Sequence, residues 1–227
     1  MLRERIVAPL RDLRRRWRGT DRVLIERYLR STAPHKLHLG CGGHLLPGWL
    51  NSDLCTGSAD ILQLDATQRV NLLPDATFDY VFSEHMIEHV DHAGGLRMLR
   101  MCHRVLAPGG VVRISTPDLA FLLALHREPL EELQTRYLAW SAEQYPHVNA
   151  ATATFVLNNF VRDWGHRFIY DEATLRASLE RAGFERITRQ PLGASDRPAL
   201  RSLEHETRMP PGFLALETMT LEAAKPR

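Results

Sequence analysis

Short apolar runs alternate with stretches of helical spacing over the first half of the chain. The run from Lys36 to Leu39 leads directly into Gly40, Gly42 and Gly43, a pattern that predicts a strand ending in a glycine turn. Further strands are predicted at residues 49–54, 61–64, 80–82 and 111–115, and helices at residues 21–30 and 95–105. This alternation predicts a parallel sheet with helices on both faces, whose ligands bind beyond the carboxyl ends of the strands.

The second half of the chain departs from this rhythm and then returns to it. Residues 119–161 are mostly helical in pattern and rich in aromatic side chains, which indicates a helical insertion over residues 118–163 that covers the substrate. A helix predicted at residues 172–182 stops at Gly183, and strands at residues 186–190 and 216–223 are expected to form a hairpin. The predicted architecture is α/β and Rossmann-like, with about seven strands, in a domain spanning residues 31–227.

The N-terminal extension, residues 1–30, holds ten arginines and four carboxylates, although the whole chain carries a formal net charge of only +2. Apolar residues at helical spacing among these arginines predict a basic amphipathic helix. We expect it to be a packing or lid helix, and the alternative is that residues 1–18 contact an anionic membrane surface. No nucleic-acid partner is expected, because the remainder of the chain is acidic.

Composition and length limit the remaining choices. With 227 residues, 44% of them hydrophobic, the chain is long enough for one globular domain with a sizeable core. It contains neither an apolar run that could span a bilayer nor a secretory signal pattern, which predicts a cytoplasmic protein. Three cysteines without a Cys-x-x-Cys pair argue against disulfides or a thiolate zinc site, and each is expected to be a small buried residue.

The glycine turn is the first candidate for chemistry. Glycines after a strand let a ligand approach the backbone, and a carboxylate at Asp53, on the next strand, can accept both hydroxyls of a ribose. The pattern favours a nucleoside site but not NAD, since Leu45 stands where the dinucleotide fingerprint has its third glycine. Asp53 also follows the turn too closely for that fingerprint.

Five segments in this order resemble the class I S-adenosylmethionine-dependent methyltransferases, and in particular their type 11 branch. They are residues 39–42 (LGCG), 47–53 (PGWLNSD), 65–66 (DA), 78–89 (FDYVFSEHMIEH) and 104–110 (RVLAPGG). The resemblance covers residues 36–117 well and residues 164–183 less specifically. It implies S-adenosylmethionine as the cofactor. Only a few residues separate Gly43 from Trp49, so a full helix does not fit in the first crossover.

The resemblance also implies which residues bind the cofactor. The glycine turn would pass under its methionyl end, Asp53 would hold the ribose, and Asp65 with Ala66 would face the adenine. The alternative for Asp53 and Asp65 is a turn or a helix cap. The full set of expected cofactor residues is Leu39, Gly40, Cys41, Gly42, Asp53, Leu54, Asp65, Ala66, Ser83 and Glu84.

The polar segment after the fourth predicted strand is the second candidate for chemistry. If a helix begins near Ser83, His85 and His89 share one of its faces, and either could remove the proton of an acceptor hydroxyl. The equally acceptable alternative is that these histidines bond to nearby backbone. His166 is the third candidate base, because in similar enzymes a comparable Gly-His-x-Phe-x-Tyr stretch lies over the acceptor pocket.

Two further interpretations concern metals. His85, Glu88 and His89 match the His-x-x-Glu-His spelling of a zinc peptidase, which remains a remote alternative. Some enzymes similar to this chain hold a divalent ion with the same stretch. Because His85 stands at the position of their first carboxylate, no metal is predicted here.

The resulting hypothesis is methyl transfer to a hydroxyl of a small molecule or of a glycan or lipid-linked sugar. The alternatives are a different use of S-adenosylmethionine, such as aminocarboxypropyl transfer or cyclisation, and a cofactor-binding protein without catalysis. The acceptor and the oligomeric state stay open.

Overall fold

A single sheet of seven strands forms the centre of the computed structural model, which describes residues 19–31, 33–68, 72–145 and 149–227. The strands are β1 (Lys36–Leu39), β2 (Leu50–Asp53), β3 (Leu62–Gln63), β4 (Phe78–Glu84), β5 (Leu106–Pro117), β6 (Glu185–Gln190) and β7 (Thr218–Ala224). Their order across the sheet is β3-β2-β1-β4-β5-β7-β6. Strands β1 to β5 pair in parallel, whereas β7 runs antiparallel to both β5 and β6. The predicted mostly parallel, Rossmann-like sheet is confirmed.

Among the described residues, one helix precedes β1, one lies between β4 and β5, four lie between β5 and β6, and one lies between β6 and β7. They are α1 (Thr20–Leu29), α2 (His92–Val105), α3 (Leu119–Ala124), α4 (Glu132–Gln144), α5 (Ala153–Arg162), α6 (Glu172–Arg181) and α7 (Phe213–Glu217). Short 3-10 turns occupy Ile87–His89, Pro198–Leu200 and Glu206–Arg208. Asp91 caps α2 and Asp171 caps α6 by accepting a backbone N–H of the first turn. Within the described ranges, every helix is too short or too polar to cross a membrane.

Two apolar clusters account for most of the core. The larger one packs α2 and α6 against the sheet, and its fully buried members include Leu37, Val81, Leu99 and Val112. The smaller one lies among α3, α4, α5 and α7 and contains Phe121, Tyr137, Val156, Phe160 and Phe213. Each buried leucine or phenylalanine contributes about 1.5–3 kcal/mol. The helices after β5 therefore have apolar packing of their own, beside the sheet.

A charged group is buried in the middle of β5. The Arg113 guanidinium donates to Glu204 at 2.7 Å and to Glu222 of β7 at 2.8 Å, and all three side chains are almost completely buried. Arg113 also donates to the carbonyl of Ala194, at 2.8 Å. These contacts fix the segment 191–217, which connects β6 to β7, to the centre of the sheet.

Several predicted boundaries need correction. Strand β4 continues through Glu84, and residues 107–110 belong to the start of β5 instead of closing the preceding helix. Helix α7 ends at Glu217, so β7 begins at Thr218 and not at residue 216. The last two strands do pair antiparallel, but the long segment 191–217 joins them in place of a tight hairpin.

Other expectations had mixed outcomes. Residues 40–49, all of them described, form turns without a helix, as predicted for the first crossover. Cys41 and Cys102 are buried, but the prediction was wrong for Cys55, which is exposed. The expected basic helix of residues 1–18 lies outside the described residues.

Candidate functional site

A cavity of about 370 Å³ opens at the carboxyl ends of β1 and β4. The glycine turn forms one side of it, and the segment 191–217 forms the other. Its lining residues are His38, Gly40, Cys41, Gly42, Gly43, His44, Glu84, His85, His205 and Arg208. Its position beyond the ends of parallel strands is the one predicted for a ligand site.

The glycine turn has a shape that side chains would disturb. Gly40 has a φ of +66°, and a Cβ atom there would lie 2.6 Å from Cγ of Met86. Gly42 has a φ of +49°, and its N–H donates to Oδ2 of Asp53 at 2.9 Å. Left-handed backbone favours glycine, because any other side chain is strained there. The turn therefore presents bare backbone to the cavity.

Asp53 joins the turn to the end of β2. Its Oδ2 accepts from Gly42, and its Oδ1 accepts from the backbone N–H of Cys55 at 3.0 Å. Two carboxylate oxygens together accept about four hydrogen bonds, so the side chain retains capacity for the hydroxyls of a ribose.

The charged side chains of this cavity lie at one end of its wall. Burial lowers the pKa of His38 to about 4, and burial together with the nearby Asp53 raises the pKa of Cys41 to about 11. Both side chains are therefore neutral near pH 7. The charged residues of the wall are Glu84 and Arg208, whose nearest atoms are 3.8 Å apart.

Glu84, the last residue of β4, connects the cavity to the segment that covers it. Both of its carboxylate oxygens accept from the backbone N–H of His205, each at 3.1 Å. The ring of His205 stacks on that of His44, with 4.6 Å between ring centroids. Residues from both ends of the sequence thus meet over the glycine turn.

A second cavity, of about 320 Å³, adjoins the first. Helix α5, the residues that follow α4 and α5, the 3-10 turn after β4, the end of β5 and the segment 191–217 supply its walls. Its lining residues are His85, Glu88, His89, Pro117, Tyr145, Phe160, Trp164, His166, Arg208, Met209 and Glu217. His85 and Arg208 line both cavities, so the two spaces meet at these side chains.

His85 is held by a partner on each ring nitrogen. Its Nδ1 lies 3.3 Å from Oε1 of Glu88, and its Nε2 lies 2.9 Å from the hydroxyl oxygen of Thr218. Burial alone would raise the pKa of Glu88, but the close approach of His85 outweighs burial and the pKa is lowered. Glu88 is therefore ionised, and a carboxylate faces Nδ1 best when that nitrogen carries the proton. Nε2 then carries the lone pair that faces the Thr218 hydroxyl.

His89 and His166 lie against each other across the same cavity, with 4.9 Å between ring centroids. Nδ1 of His166 lies 2.8 Å from the carbonyl oxygen of Phe160, a contact that only a protonated nitrogen makes favourably. Burial lowers the pKa of His166, which favours the neutral ring with a lone pair on Nε2.

Glu217, the last residue of α7, is a buried acid in the wall of this cavity. One of its oxygens accepts a hydrogen bond from the hydroxyl of Tyr137 at 2.5 Å. Burial raises the pKa of Glu217, and the opposing effects of His85, Tyr137 and Arg208 do not cancel it.

Comparison with known proteins decides the family. A sequence model of the methyltransferase domain matches residues 17–189. The chain belongs to the methyltransferase-domain family. The S-adenosylmethionine-dependent methyltransferase of Archaeoglobus fulgidus is 18% identical, over 90% of this chain and 92% of that one, with a TM-score of 0.51. A possible histamine N-methyltransferase of Thermotoga maritima is 17% identical, over 97% and 99%, with a TM-score of 0.48. No curated protein matches the sequence.

This membership confirms the predicted class I methyltransferase, its fold and S-adenosylmethionine as its cofactor. The finer type 11 branch stays a prediction. The zinc peptidase alternative is wrong, both in family and in geometry. Strand β4 continues through Glu84, and only a 3-10 turn, Ile87–His89, follows it. His85 precedes that turn with a φ of +45°, so His85 and His89 do not share the face of one helix.

The predicted cofactor residues of the methyltransferase divide into two groups. Gly40, Cys41, Gly42 and Glu84 line the first cavity, and Asp53 bonds directly to its glycine turn. The others stand outside its wall: Leu39, Ala66 and Ser83 are buried, Leu54 is 58% exposed, and Asp65 is half-buried. Oδ1 of Asp65 accepts from both the backbone and the hydroxyl of Thr67, so Asp65 does form the turn cap given as its alternative.

Three wall residues of the methyltransferase went unnoticed in the sequence. His205, Arg208 and Glu217 all lie on the segment 191–217, far along the chain from the glycine turn. The only local signal is the density of charged residues from Glu204 to Arg208, which resembles an ordinary exposed loop. In contrast, all three predicted catalytic histidines, His85, His89 and His166, do line one cavity.

Proposed function

We propose that this methyltransferase moves the methyl group of S-adenosylmethionine to a hydroxyl of a small molecule or of a glycan or lipid-linked sugar. The observation that carries the proposal is the junction of the two cavities at His85. A cofactor beside the glycine turn and an acceptor among the histidines would meet at that side chain.

The first cavity suits the cofactor. Bare backbone at Gly40 and Gly42 allows close approach, and Asp53 offers acceptors for a ribose diol. A Cβ at Gly40 would collide with the side chain of Met86, whereas one at Gly42 would meet nothing within 4 Å, so the open face of the turn is at Gly42. When bound, S-adenosylmethionine supplies a methyl group made electrophilic by the sulfonium charge.

The second cavity suits a hydroxyl acceptor. In the transfer, a bond forms between the hydroxyl oxygen and the methyl carbon while the bond from sulfur to that carbon breaks, which leaves a neutral thioether. The hydroxyl proton must leave as well, and His85 is the proposed base: its Nε2 would exchange the contact with the Thr218 hydroxyl for one with the acceptor hydroxyl. Glu88 stabilises the imidazolium that results, as the buried carboxylate does in other histidine-carboxylate pairs.

The test combines cofactor binding with product mass. Purified protein is titrated calorimetrically with S-adenosylmethionine and then incubated with it and a panel of sugars, glycolipids and small alcohols or phenols. We expect binding, and a product heavier than its acceptor by one methylene group. A product carrying an aminocarboxypropyl group would favour the alternative chemistry, and absence of binding would overturn the cofactor cavity.

A matched pair of variants isolates the base. His85→Asn removes the proton acceptor and should reduce turnover by about 100-fold or more, a larger loss than its effect on cofactor affinity. His126→Asn changes an exposed histidine far along the chain and should leave both unchanged. Full turnover by His85→Asn would show that His85 is not the base. It would not contradict the proposed methyl transfer.

A further inference from the structure

Arg208 stands at the junction of the two cavities without a close partner. Its side chain lines both spaces and is 30% exposed. Among the described residues its guanidinium makes no hydrogen bond, and the nearest carboxylate oxygen, Oε1 of Glu84, is 3.8 Å away. The buried Arg113, by contrast, donates to two carboxylates and a carbonyl. The five N–H donors of the Arg208 guanidinium therefore remain available to a ligand.

The acids in the walls around Arg208 have other partners or are held neutral. Both oxygens of Glu84 accept the same backbone N–H from the covering segment, each at 3.1 Å. Oε1 of Glu88 faces Nδ1 of His85 at 3.3 Å. Burial raises the pKa of Glu217, which favours its uncharged form. No carboxylate of the described walls is hydrogen-bonded to the guanidinium, so an anionic ligand would supply the missing partner.

The charge of Arg208 acts on the second cavity as well as on the first. Burial, together with the nearby Glu217, raises the pKa of Tyr145 to about 12, and the positive charge of Arg208 opposes that rise. The same charge opposes the raised pKa of Glu217. Tyr145 and Glu217 both line the second cavity. The guanidinium is therefore close to the space that the proposed function assigns to the acceptor.

We propose that Arg208 binds an oxoanion of the acceptor, a carboxylate or a phosphate group, so that the methyltransferase acts on anionic hydroxy compounds. This inference rests on the proposed function, because it takes the second cavity as the acceptor site. A planar guanidinium can hold such a group with two parallel N–H bonds. Since His85 stands at the same junction, the hydroxyl to be methylated would lie near the anionic group. The rings of Tyr145, Phe160 and Trp164 would contact the uncharged remainder of the acceptor.

Binding of small anions tests this inference without a known acceptor. The protein is saturated with S-adenosylhomocysteine, so that the first cavity is filled, and is titrated with acetate, methylphosphonate or the neutral acetamide. Saturation-transfer NMR of their methyl protons reports binding. We expect at least one of the anions to bind about tenfold or more tightly than acetamide. The tighter anion shows whether a carboxylate or a phosphate is preferred. Equal binding of the three probes, or binding of none, would overturn the proposal.

Matched variants locate the bound anion. Arg208→Gln should weaken anion binding by about tenfold or more, whereas Arg208→Lys, which keeps the charge but loses the planar fork, should weaken it less. Arg181→Gln, at an exposed arginine of α6, should leave anion binding unchanged. Melting temperatures are compared so that a loss of fold is not taken for a loss of the site. Anion binding by Arg208→Gln at wild-type strength would overturn the proposal.

Cofactor affinity and turnover, measured on the same samples, separate this inference from the proposed function. If Arg208→Gln lost affinity for S-adenosylhomocysteine but not for the anions, the guanidinium would serve the cofactor, and the inference would be wrong. A wild type that bound anions through Arg208 but no S-adenosylhomocysteine would contradict the proposed function alone. Among methylated acceptors, acids should have KM values about tenfold or more below those of their amides, and Arg208→Gln should abolish this preference. Equal KM values for acids and amides in the wild type would overturn the inference.

Discussion

The two adjoining cavities of this methyltransferase are built on different principles. The first has a glycine turn, held by Asp53, along one side at the end of β1, and imidazole and charged side chains around the rest. The second is surrounded by rings and ionisable side chains from α5, from the residues after β4, α4 and α5, and from the segment 191–217. Among the described residues, the two walls share His85 and Arg208.

This difference indicates separate roles for the two cavities. Backbone groups at a tight turn suit a ligand that never changes, because no side-chain substitution can remove them. Side chains such as Tyr145, Trp164 and Met209 can be exchanged without altering the sheet, so the second cavity is where the choice of acceptor would lie. The predictions below ask how far the two cavities can be disturbed separately.

The largest expected effect disturbs both cavities together. Arg113 lines neither, but it holds Glu204, next to the residues that cover both. Arg113→Met would leave Glu204 with only neutral donors, Ser115 and Gly193, and Glu222 with only Arg197 at 3.6 Å. Removing the buried guanidinium should cost about 3–5 kcal/mol of unfolding free energy. Urea denaturation measures this loss, and cofactor affinity should fall with it.

The control for that variant removes the orphaned charges as well. Arg113→Met combined with Glu204→Gln and Glu222→Gln should recover a substantial part of the lost stability. If the single variant were as stable as the wild type, the buried ion pairs would not be what holds the segment 191–217 in place.

An intermediate effect should be confined to the first cavity. Asp53→Ala removes the proposed acceptor of the ribose hydroxyls and the partner of Gly42. The loss should be about 2 kcal/mol, roughly thirtyfold in the dissociation constant for S-adenosylmethionine. Calorimetric titration checks it, and Asp60→Ala, at an exposed carboxylate paired with Arg27, serves as the control. Unchanged affinity would show that the ribose does not bind at Asp53.

The smallest effect belongs to the second cavity and depends on pH. Burial raises the pKa of Glu217 above its ordinary value near 4.5, so the unfolded chain releases this proton at lower pH than the folded protein. The contribution of Glu217 to wild-type stability should therefore decline as the pH rises from about 4.5 through the raised pKa. Glu217→Gln can keep the bond to Tyr137 but does not ionise.

The measurement is the difference in urea midpoint between Glu217→Gln and the wild type across that pH range. The urea midpoint of Glu217→Gln should rise relative to that of the wild type as the pH increases. Glu143→Gln, which replaces an exposed glutamate of α4, should show no such trend. A difference that stays constant with pH would mean that Glu217 is ionised in the folded protein at no cost.

The parts of the molecule that follow from local spacing could be predicted. Gly40, Gly42 and Asp53 lie within fourteen residues of each other, and a strand, a turn and a second strand suffice to bring them together. The convergence of His85 with His166 was predictable only through the resemblance to a family. No local pattern places Arg208 or Glu217 beside them, because their positions depend on the ion pairs of Arg113 across the sheet.

The error in the predicted end of β4 has a similar cause. Ser83 and Glu84 are polar, and polar residues after an apolar run are usual for a strand that has ended. Here the strand continues because Ser83 and Glu84 pair with β5, and the Glu84 carboxylate can be buried there because it accepts the backbone N–H of His205, 121 positions further along. A long-range bond of this kind leaves no trace in the local sequence.

The apolar cluster among α3, α4, α5 and α7 has a consequence for how such a protein can diverge. Because these helices pack largely on one another through Phe121, Tyr137 and Phe213, substitutions among them need not disturb the packing of α2 and α6 on the sheet. After gene duplication, one copy could accept new molecules while inheriting its cofactor site unchanged. Families of methyltransferases with many acceptors and one methyl donor are the outcome that such an arrangement favours.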